Sequence, residues 1–340
     1  MKLFITIIVG MLVVGINASE NFSQQCAKAG KAIANNSITY QGKAGWLYTG
    51  AELRHLAVGK FWGEAASKVS RCRRAGRQDP ELAIVDFNRQ LTALSIKLIV
   101  VPVPPKATVY PEGLGEFSPK VANTQLQAFY QRLTRAGVEV LDLHDKFVAL
   151  KSGKRRLYCQ QDSHWSGYGC EVAADELSKV VSTMPWYKKF QKSEFKAESR
   201  QISITGDLWK SLQQTTLAKE DLTLRFIAGQ TVVKSSPILL MGDSHTLIFH
   251  AGDDMLAKQA GLVDQLAYEL KMPVDLLAVR GSGATAVRIT LYRHAKRQPA
   301  WLTNKKVIIW CFTARDFSEA SSGWRKIPVL KKKSSSRTSE

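Results

Sequence analysis

The sequence has few acidic residues for its length and only one long apolar segment. Its 340 residues include 29 Asp and Glu against 48 Lys and Arg, a formal net charge of +19. Such an excess favours a polyanionic partner, and nucleic acid, anionic lipid and acidic polysaccharide all fit. Beyond the N-terminus no stretch is long and apolar enough to cross a bilayer, so no further membrane span is expected.

Motifs for metals and nucleotides are also missing. No CxxC or Cys/His spacing indicates a zinc site, so we expect no metal. No GxGxxG or Walker pattern is present, and we expect no cofactor. Any chemistry is then expected from side chains and backbone groups alone.

Both ends of the chain predict segments outside the folded domain. Lys2, an apolar run and Ala18 are typical of a signal peptide over residues 1–18. The cleavage site is imperfect, so an uncleaved N-terminal anchor is the alternative, and export in either case argues against a nucleic-acid partner. Residues 325–340 carry six basic residues and one acid and predict a disordered, solvated tail. The domain is then expected over residues 19–324.

Five cysteines in an exported chain allow two disulfide bonds and one free thiol. Cys159 and Cys170 bracket the segment 162–165, and a bond between them would hold that loop in place. Cys26 and Cys72 form a second candidate pair. Cys311 lies in an apolar run and is expected to be a buried free thiol.

Apolar runs alternate with amphipathic segments, which predicts an α/β fold with a central parallel sheet covered on both faces. The predicted strands are 96–103, 138–143, 237–241, 274–279 and 306–312. The predicted helices are 20–40, 79–95, 119–136, 166–183, 254–271 and 284–296, and residues 185–235 show no clear pattern. In such folds ligands bind beyond the carboxyl ends of the strands.

Ser244 is the best candidate for a nucleophile. It follows a predicted buried strand through Gly242 and Asp243, at the turn into a helix, where a hydroxyl is exposed and its own N–H can face an oxyanion. A serine needs a base to take its proton and a carboxylate to orient that base. The alternative is that this tripeptide is a plain turn or helix cap.

His164 is the candidate base and Asp162 its orienting carboxylate. In an extended loop, residues two apart share a face, so both side chains can point the same way. The alternative is a surface turn with an ordinary histidine. The backbone N–H of Gly283, beyond a predicted strand, is a candidate second oxyanion donor, although a strand-to-helix turn explains that glycine equally well.

Arg315 follows the last predicted strand and is a candidate contact for a carboxylated sugar; a salt bridge to Asp316 or Glu319 is the alternative. Three aromatic residues are candidates for stacking on sugar rings, although buried aromatic side chains are commoner. They are Trp165, Tyr168 and Tyr292.

Five blocks of sequence resemble the periplasmic alginate O-acetyltransferases of the AlgJ/AlgX type. The blocks are Gly42 to Tyr48; Val100 to Lys106 with Tyr110-Pro111; Asp162 to Trp165; Gly242 to Ser244; and Val307 to Trp310 with Arg315. The resemblance implies an SGNH-hydrolase-like fold in which the Asp-x-His block precedes the serine block, the reverse of the order in ordinary SGNH enzymes.

The resemblance also implies roles. Ser244 would be the nucleophile, His164 the base, Asp162 its partner and Gly283 an oxyanion donor, while the usual oxyanion asparagine has no match because residues 313–315 read Thr-Ala-Arg. The implied activity transfers an acetyl group through Ser244 to a hydroxyl of an exported polysaccharide in the periplasm. The implied partners are a membrane-bound acyltransferase as donor and other proteins of an export complex.

Three functions remain open at the level of sequence. An acetyltransferase and a carbohydrate acetyl esterase would share the same triad and differ only in whether a sugar or water attacks the acyl group. A non-catalytic, basic polysaccharide-binding subunit of an export complex would not need the serine at all. The acetyltransferase is the favoured interpretation.

Overall fold

The structure, a computed structural model, describes residues 21–213 and 219–330. The predicted signal peptide or anchor (1–18) and residues 331–340 of the predicted tail lie outside the described residues. None of the helices in the described part of the chain is long and apolar enough to span a membrane.

Strands and helices alternate along most of the chain. The strands are β1 (Thr39–Gln41), β2 (Leu47–Thr49), β3 (Lys97–Val103), β4 (Glu139–Val140), β5 (Lys196–Ile204), β6 (Glu220–Ala228), β7 (Ile238–Gly242), β8 (Asp275–Ala278) and β9 (Val307–Thr313). The α-helices are α1 (21–31), α2 (Gly50–Ala57), α3 (Ala66–Val69), α4 (Pro80–Thr92), α5 (Lys106–Val109), α6 (Pro119–Ala122), α7 (Thr124–Arg135), α8 (His144–Leu150), α9 (Gly167–Ser182), α10 (Asp207–Ser211), α11 (Leu262–Leu270), α12 (Ala286–Arg297), α13 (Pro299–Thr303) and α14 (Asp316–Glu319).

The central sheet has five parallel strands in the order β4-β3-β9-β7-β8. All five strands predicted from the apolar runs are present, which confirms the α/β architecture. The register pairs Gly242 at the end of β7 with Cys311 on β9 and with Ala278 on β8. Because parallel strands end at the same edge, the segments that follow β7, β8 and β9 meet there.

Side chains of the sheet alternate between two cores, as expected for strands buried on both faces. On β9, Ile309 and Cys311 pack in one core together with apolar residues of α9 and α11. Trp310 and Phe312 pack in the other core with apolar residues of α4, α7 and α12. The helices therefore hold the sheet from both sides and make its carboxyl edge a rigid platform.

Local signals in the sequence place several helix ends correctly. Asp79 caps α4, and Ser166 caps α9 by accepting a hydrogen bond from the N–H of Gly169. The predicted helix 119–136 is divided at Asn123, which has non-helical backbone angles. Residues 185–235, which show no clear pattern in sequence, contain the antiparallel pair β5 and β6.

Three boundaries predicted from sequence are wrong. The helix expected over 20–40 ends at residue 31, before β1 begins at Thr39. The helix expected over 254–271 begins only at Leu262, because Leu256 and Gln259 have positive φ angles that an α-helix cannot contain. The expected disordered tail begins too early, because Val329 is buried and its N–H donates to Gln90 of α4 at 2.8 Å. The folded domain therefore continues at least to residue 330.

The cap of α4 provides a test of the fold. Asp79 accepts hydrogen bonds from the N–H groups of Glu81, at 3.0 Å, and Gly63, at 3.1 Å. Asp79→Ala removes both acceptors and is expected to lower the free energy of unfolding by about 1–2 kcal/mol, measured by urea denaturation. Asp79→Asn keeps a capping oxygen and should lose less; equal losses for the two variants would contradict the capping role.

Candidate active site

Ser244 lies at a tight turn just beyond β7. An added Cβ at Gly242 would overlap the backbone of β9, so only glycine fits at the end of this strand. The Asp243 carboxylate accepts hydrogen bonds from the backbone N–H groups of His245 and Thr313, each at 2.8 Å. These bonds tie the turn to the end of β9 and present the serine at the carboxyl edge of the sheet.

The structure brings the three predicted triad residues into one hydrogen-bonded relay. Nε2 of His164 lies 2.7 Å from Oγ of Ser244, and Nδ1 lies 2.6 Å from Oδ1 of Asp162. The same carboxylate oxygen accepts the backbone N–H of His164 at 3.0 Å. The Asp162 and His164 side chains are buried. With Nδ1–H donated to the carboxylate, Nε2 is left to accept the serine proton.

The electrostatics of the pair favour this arrangement. Burial acts to raise the pKa of Asp162, but the hydrogen bond and charge of His164 outweigh burial and hold that pKa well below its usual range. Burial acts to lower the pKa of His164, but the hydrogen bond and negative charge of Asp162 raise it above its ordinary value of about 6.5. Asp162 thus stays ionised and increases the basicity of His164.

Lys106 is a functional residue that sequence analysis did not single out, although it ends one of the family-like blocks. Its side chain is buried, and burial lowers the pKa of its ammonium group. Nζ donates to the backbone carbonyl oxygens of Leu47, at 2.9 Å, Asp162, at 2.5 Å, and Gln160, at 3.5 Å. A single buried cation therefore fastens the Asp162 loop to β2.

Two acidic residues from the region 185–235, which shows no clear pattern in sequence, hold the same loop. The N–H of Asp207 donates to the second oxygen of Asp162 at 2.9 Å. The Asp207 carboxylate accepts the N–H and the hydroxyl of Ser163 at 2.7 and 2.6 Å. Glu220 accepts the N–H groups of the two residues that precede Asp162, at 2.8 and 2.9 Å. The loop is thus fixed on both sides by hydrogen bonds.

The disulfide bonds expected from sequence are not present. All five cysteines lie among the described residues and are buried free thiols, so neither the Cys159–Cys170 nor the Cys26–Cys72 bond is formed. Sγ of Cys159 instead faces the carbonyl oxygen of Trp165 at 3.6 Å. The loop that contains Asp162 is held by hydrogen bonds to buried groups and not by a disulfide bond. The fifth cysteine is the buried free thiol that the sequence predicts.

Gly283 lies at the expected place, between β8 and α12, but its N–H points elsewhere. It donates to Oδ2 of Asp316 at 3.1 Å, and the N–H of Ala284 donates to the same oxygen at 3.2 Å. Burial and the nearby charge of Asp243 raise the pKa of Asp316 to about 7, although Arg315 and the two N–H groups act to lower it. The amide predicted as an oxyanion donor is therefore already engaged.

The three aromatic candidates differ in location. Trp165 is fully buried, and its indole N–H donates to the carbonyl oxygen of His245 at 3.1 Å, so it supports the nucleophile turn and cannot stack on a sugar. Tyr168 is half-buried beneath the guanidinium of Arg155, 4.5 Å from its ring centre. Tyr292 is half-buried, six residues into α12 and about 9 Å along the axis from its start.

Arg315 lies just beyond β9. The salt bridge to Asp316 or Glu319 that the sequence left as an alternative is not formed. Glu319 is bound by Arg54 at 2.7 Å and by Arg71 at 3.4 Å, while the Asp316 carboxylate holds backbone N–H groups. Within the described residues, Nη1 of Arg315 is buried and has no hydrogen-bond partner. This buried guanidinium N–H is therefore left without a hydrogen-bond partner near the end of β9.

His245, immediately after the nucleophile, is a second imidazole at the site. Its Nδ1 lies 3.2 Å from Oδ1 of Asp243, and its ring centre lies 4.7 Å from that of His164. Burial and the positive charges of His164 and Arg315 lower the pKa of His245, despite the opposing effect of Asp243. His245 is accordingly neutral at neutral pH and adds no competing charge beside the base.

The same residues also contain the one group of three potential metal ligands found in the described part of the chain. Oxygen and nitrogen atoms of Asp162, His164 and Asp207 lie within 4.8 Å of one another. Each of these atoms is already used: Asp162 binds His164 and the amide of Asp207, and Asp207 binds Ser163. This bonding pattern is that of an acid–base relay and not of a cation cage.

The relay makes a prediction about pH. Because the base must be neutral to accept a proton, cleavage of an acetyl ester should rise with pH through the pKa of His164, above about 6.5. Asp162→Asn removes the charge that raises this pKa, so its value should fall, and kcat should drop by about 10⁴-fold as the tautomer is lost.

The titration is measured by NMR of labelled imidazole, with kcat taken at the pH plateau. His164→Gln is a companion variant whose missing signal identifies His164 among the six histidines. An unchanged or raised pKa of His164 in Asp162→Asn would contradict the coupling.

Comparisons with known proteins identify the family and the fold of this chain. Residues 39–314 match the family described as "SGNH hydrolase-like domain, acetyltransferase AlgX". The "Probable alginate O-acetylase AlgJ" of Pseudomonas aeruginosa is 28% identical over 215 residues, which is 63% of this chain and 50% of that protein. The protein of the same name from Pseudomonas fluorescens is 34% identical over 102 residues, 29% of this chain and 26% of that protein. The matched regions thus span half or less of these relatives.

Two solved structures share the fold. The O-acetyltransferase domain of Pseudomonas putida AlgJ aligns with a TM-score of 0.63 at 21% identity, covering 83% of this chain and 92% of that one. Pseudomonas aeruginosa AlgX aligns with a TM-score of 0.61 at 17% identity, covering 84% of this chain and 65% of that one. The resemblance in sequence is therefore confirmed, and the chain belongs to the family of SGNH hydrolase-like domains of the AlgX acetyltransferase type.

Proposed function

We propose that this protein is an O-acetyltransferase that moves an acetyl group through Ser244 onto hydroxyl groups of an exported polysaccharide. The observation that carries the proposal is the continuous relay from Ser244 through His164 to Asp162, with distances of 2.7 and 2.6 Å. It stands on the scaffold of a family of acetyltransferase domains. A polysaccharide-binding subunit without catalytic activity would not require this geometry.

In the first half-reaction, Oγ of Ser244 attacks the carbonyl carbon of the acetyl donor while Nε2 of His164 takes the hydroxyl proton. The carbonyl π electrons move onto oxygen and form a tetrahedral oxyanion. When this intermediate collapses, the bond to the donor's leaving group breaks, and that group receives the proton from His164. The products are acetyl-Ser244 and the protonated leaving group, so atoms and charge balance.

In the second half-reaction, a sugar hydroxyl attacks the acetyl-serine, and His164 takes its proton. Collapse of the second intermediate releases the acetylated sugar and returns the proton to Oγ of Ser244. Asp162 remains ionised throughout and stabilises the imidazolium in both steps, which its lowered pKa allows. Water attacking in place of the sugar would give the esterase reaction.

The acceptor proposed is alginate or a similar acidic exopolysaccharide. The chain's net charge of +19 attracts a polyanion and raises its local concentration. The curated relatives carry the name "Probable alginate O-acetylase AlgJ", which points to the same class of polymer. Tyr292 and Tyr168 stay candidates for contacts near the acceptor.

The location proposed is the periplasm, after export by the N-terminal segment. The proposed donor is an acetyl group supplied by a membrane-bound acyltransferase, and the proposed context is an export complex. No cofactor is required, because the acetyl group is carried by the serine itself.

A direct test uses purified protein, 4-nitrophenyl acetate and uronate oligosaccharides, with acetylated sugar followed by mass spectrometry. Wild-type protein should cleave the ester and add 42 Da, about the mass of one acetyl group replacing hydrogen, to the sugar through acyl transfer. Ser244→Ala should lose both activities by about 10⁴-fold or more, because no other group can carry the acetyl.

The matched control is Ser178→Ala, a serine on helix α9 whose hydroxyl donates to the carbonyl oxygen of Asp175, three residues away. This variant should keep full activity. Full ester cleavage by Ser244→Ala would overturn the nucleophile assignment, and cleavage without any acetylated sugar would favour the esterase.

A further inference from the structure

The reaction proposed above needs hydrogen-bond donors for the oxyanion, and one expected donor is missing. The N–H of Gly283 donates to Asp316 at 3.1 Å. The asparagine that usually serves as an oxyanion donor in SGNH enzymes has no counterpart after β9 in this chain. Ser244 can supply only its own N–H. Removing one donor from an oxyanion site typically costs about 10²–10³-fold in kcat, so a second donor is expected from another side chain.

Arg315 is placed to fill this gap. β9 lies beside β7, and the Asp243 carboxylate bonds the N–H of Thr313, so the end of β9 is attached to the nucleophile turn. Arg315 follows two residues later at the same edge. Its positive charge acts on His245, the neighbour of Ser244, and lowers the pKa of that imidazole. The guanidinium therefore lies within electrostatic range of the turn that carries Ser244.

The guanidinium is also unusually short of partners. Nη1 is buried and has no hydrogen-bond partner within the described residues. No carboxylate of the described residues lies within ion-pair distance of Arg315. Burial raises the pKa values of Glu52 and Asp316, and Arg315 acts to lower both only from a longer distance. A buried donor left open in this way costs free energy unless a ligand satisfies it.

We propose that Nη1–H of Arg315 donates to the acetyl carbonyl oxygen as it becomes the oxyanion, together with the backbone N–H of Ser244. This proposal rests on the acyl transfer through Ser244. It replaces the sequence-based role of Arg315, contact with a sugar carboxylate, by contact with the reacting acyl group. A guanidinium suits the role because it stays charged at every working pH.

The surroundings explain why an arginine can act here without disturbing the base. Burial lowers the pKa values of His55 and His245, and the charge of Arg315 lowers both further, so the two imidazoles on its side of the site stay neutral. Nδ1 of His55 lies 2.7 Å from Oγ of Ser318. The positive charge facing the acyl group is then that of Arg315, joined by His164 only when it has taken the serine proton.

The experiment compares Arg315→Gln and Arg315→Lys with wild type on 4-nitrophenyl acetate, a neutral substrate without a sugar. Arg315→Gln should lower kcat by about 10²–10³-fold with KM nearly unchanged, and Arg315→Lys should lose less because a charged donor remains. Added ethylguanidine should partly restore kcat of Arg315→Ala. Thermal unfolding of each variant reports whether the fold is kept, and Arg297→Gln, an exposed arginine of α12, is the matched control.

The outcomes separate this proposal from the one it rests on. If Ser244→Ala is inactive but Arg315→Gln cleaves the ester at the wild-type rate, Arg315 is not an oxyanion donor while the acyl transfer stands. If Arg315→Gln loses only transfer to uronate oligosaccharides, Arg315 binds the sugar carboxylate and the inference is wrong. If Ser244→Ala remains active, the acyl transfer itself is wrong. A fall in kcat that ethylguanidine reverses supports the donor role.

Discussion

The buried hydrogen bond between Asp162 and His164 is the interaction on which the site depends. A carboxylate buried this far from water is costly unless every oxygen has a donor. Both oxygens do have one, because His164 and the amide of Asp207 bind them. Lys106 then holds the carbonyl of the same residue. The loop is rigid because releasing it would expose several buried groups without partners.

The parallel sheet supplies the second constraint, which is position. Ser244, Gly283 and Arg315 follow β7, β8 and β9, and the register of these strands brings all three segments to one edge. The Asp243 carboxylate joins the first and the last of them through the amide of Thr313. The backbone segments that carry Ser244 and Arg315 are thereby joined by a hydrogen bond from the Thr313 amide to the Asp243 side chain. The base comes from a different layer and meets them across the edge.

Hydrophobic periodicity and capping residues were sufficient to predict the helices and strands that depend on neighbouring residues or on uniformly apolar packing. The strand ending at Gly242, the cap at Ser166 and the triad residues all follow from neighbouring residues. The loop before α11 did not, because its positive φ angles interrupt the helix and the carbonyl oxygen of Gln259 accepts the N–H of Ile227 on β6, far away in sequence. The prediction of a disulfide between Cys159 and Cys170 was wrong for a similar reason. The spacing shows that two thiols flank a loop, but it does not show which other residues hold that loop.

By itself the sequence determined the α/β class and the family, and it predicted the serine, histidine and aspartate that the fold brings together, since each lies in a short segment. Only the tertiary structure decided how they are supported. Lys106 and Asp207 were not predicted as site residues, and the sequence does not show that Nη1 of Arg315 lacks a partner. Their roles arise from hydrogen bonds across tens of residues, and such bonds exist only after the sheet has brought distant segments together.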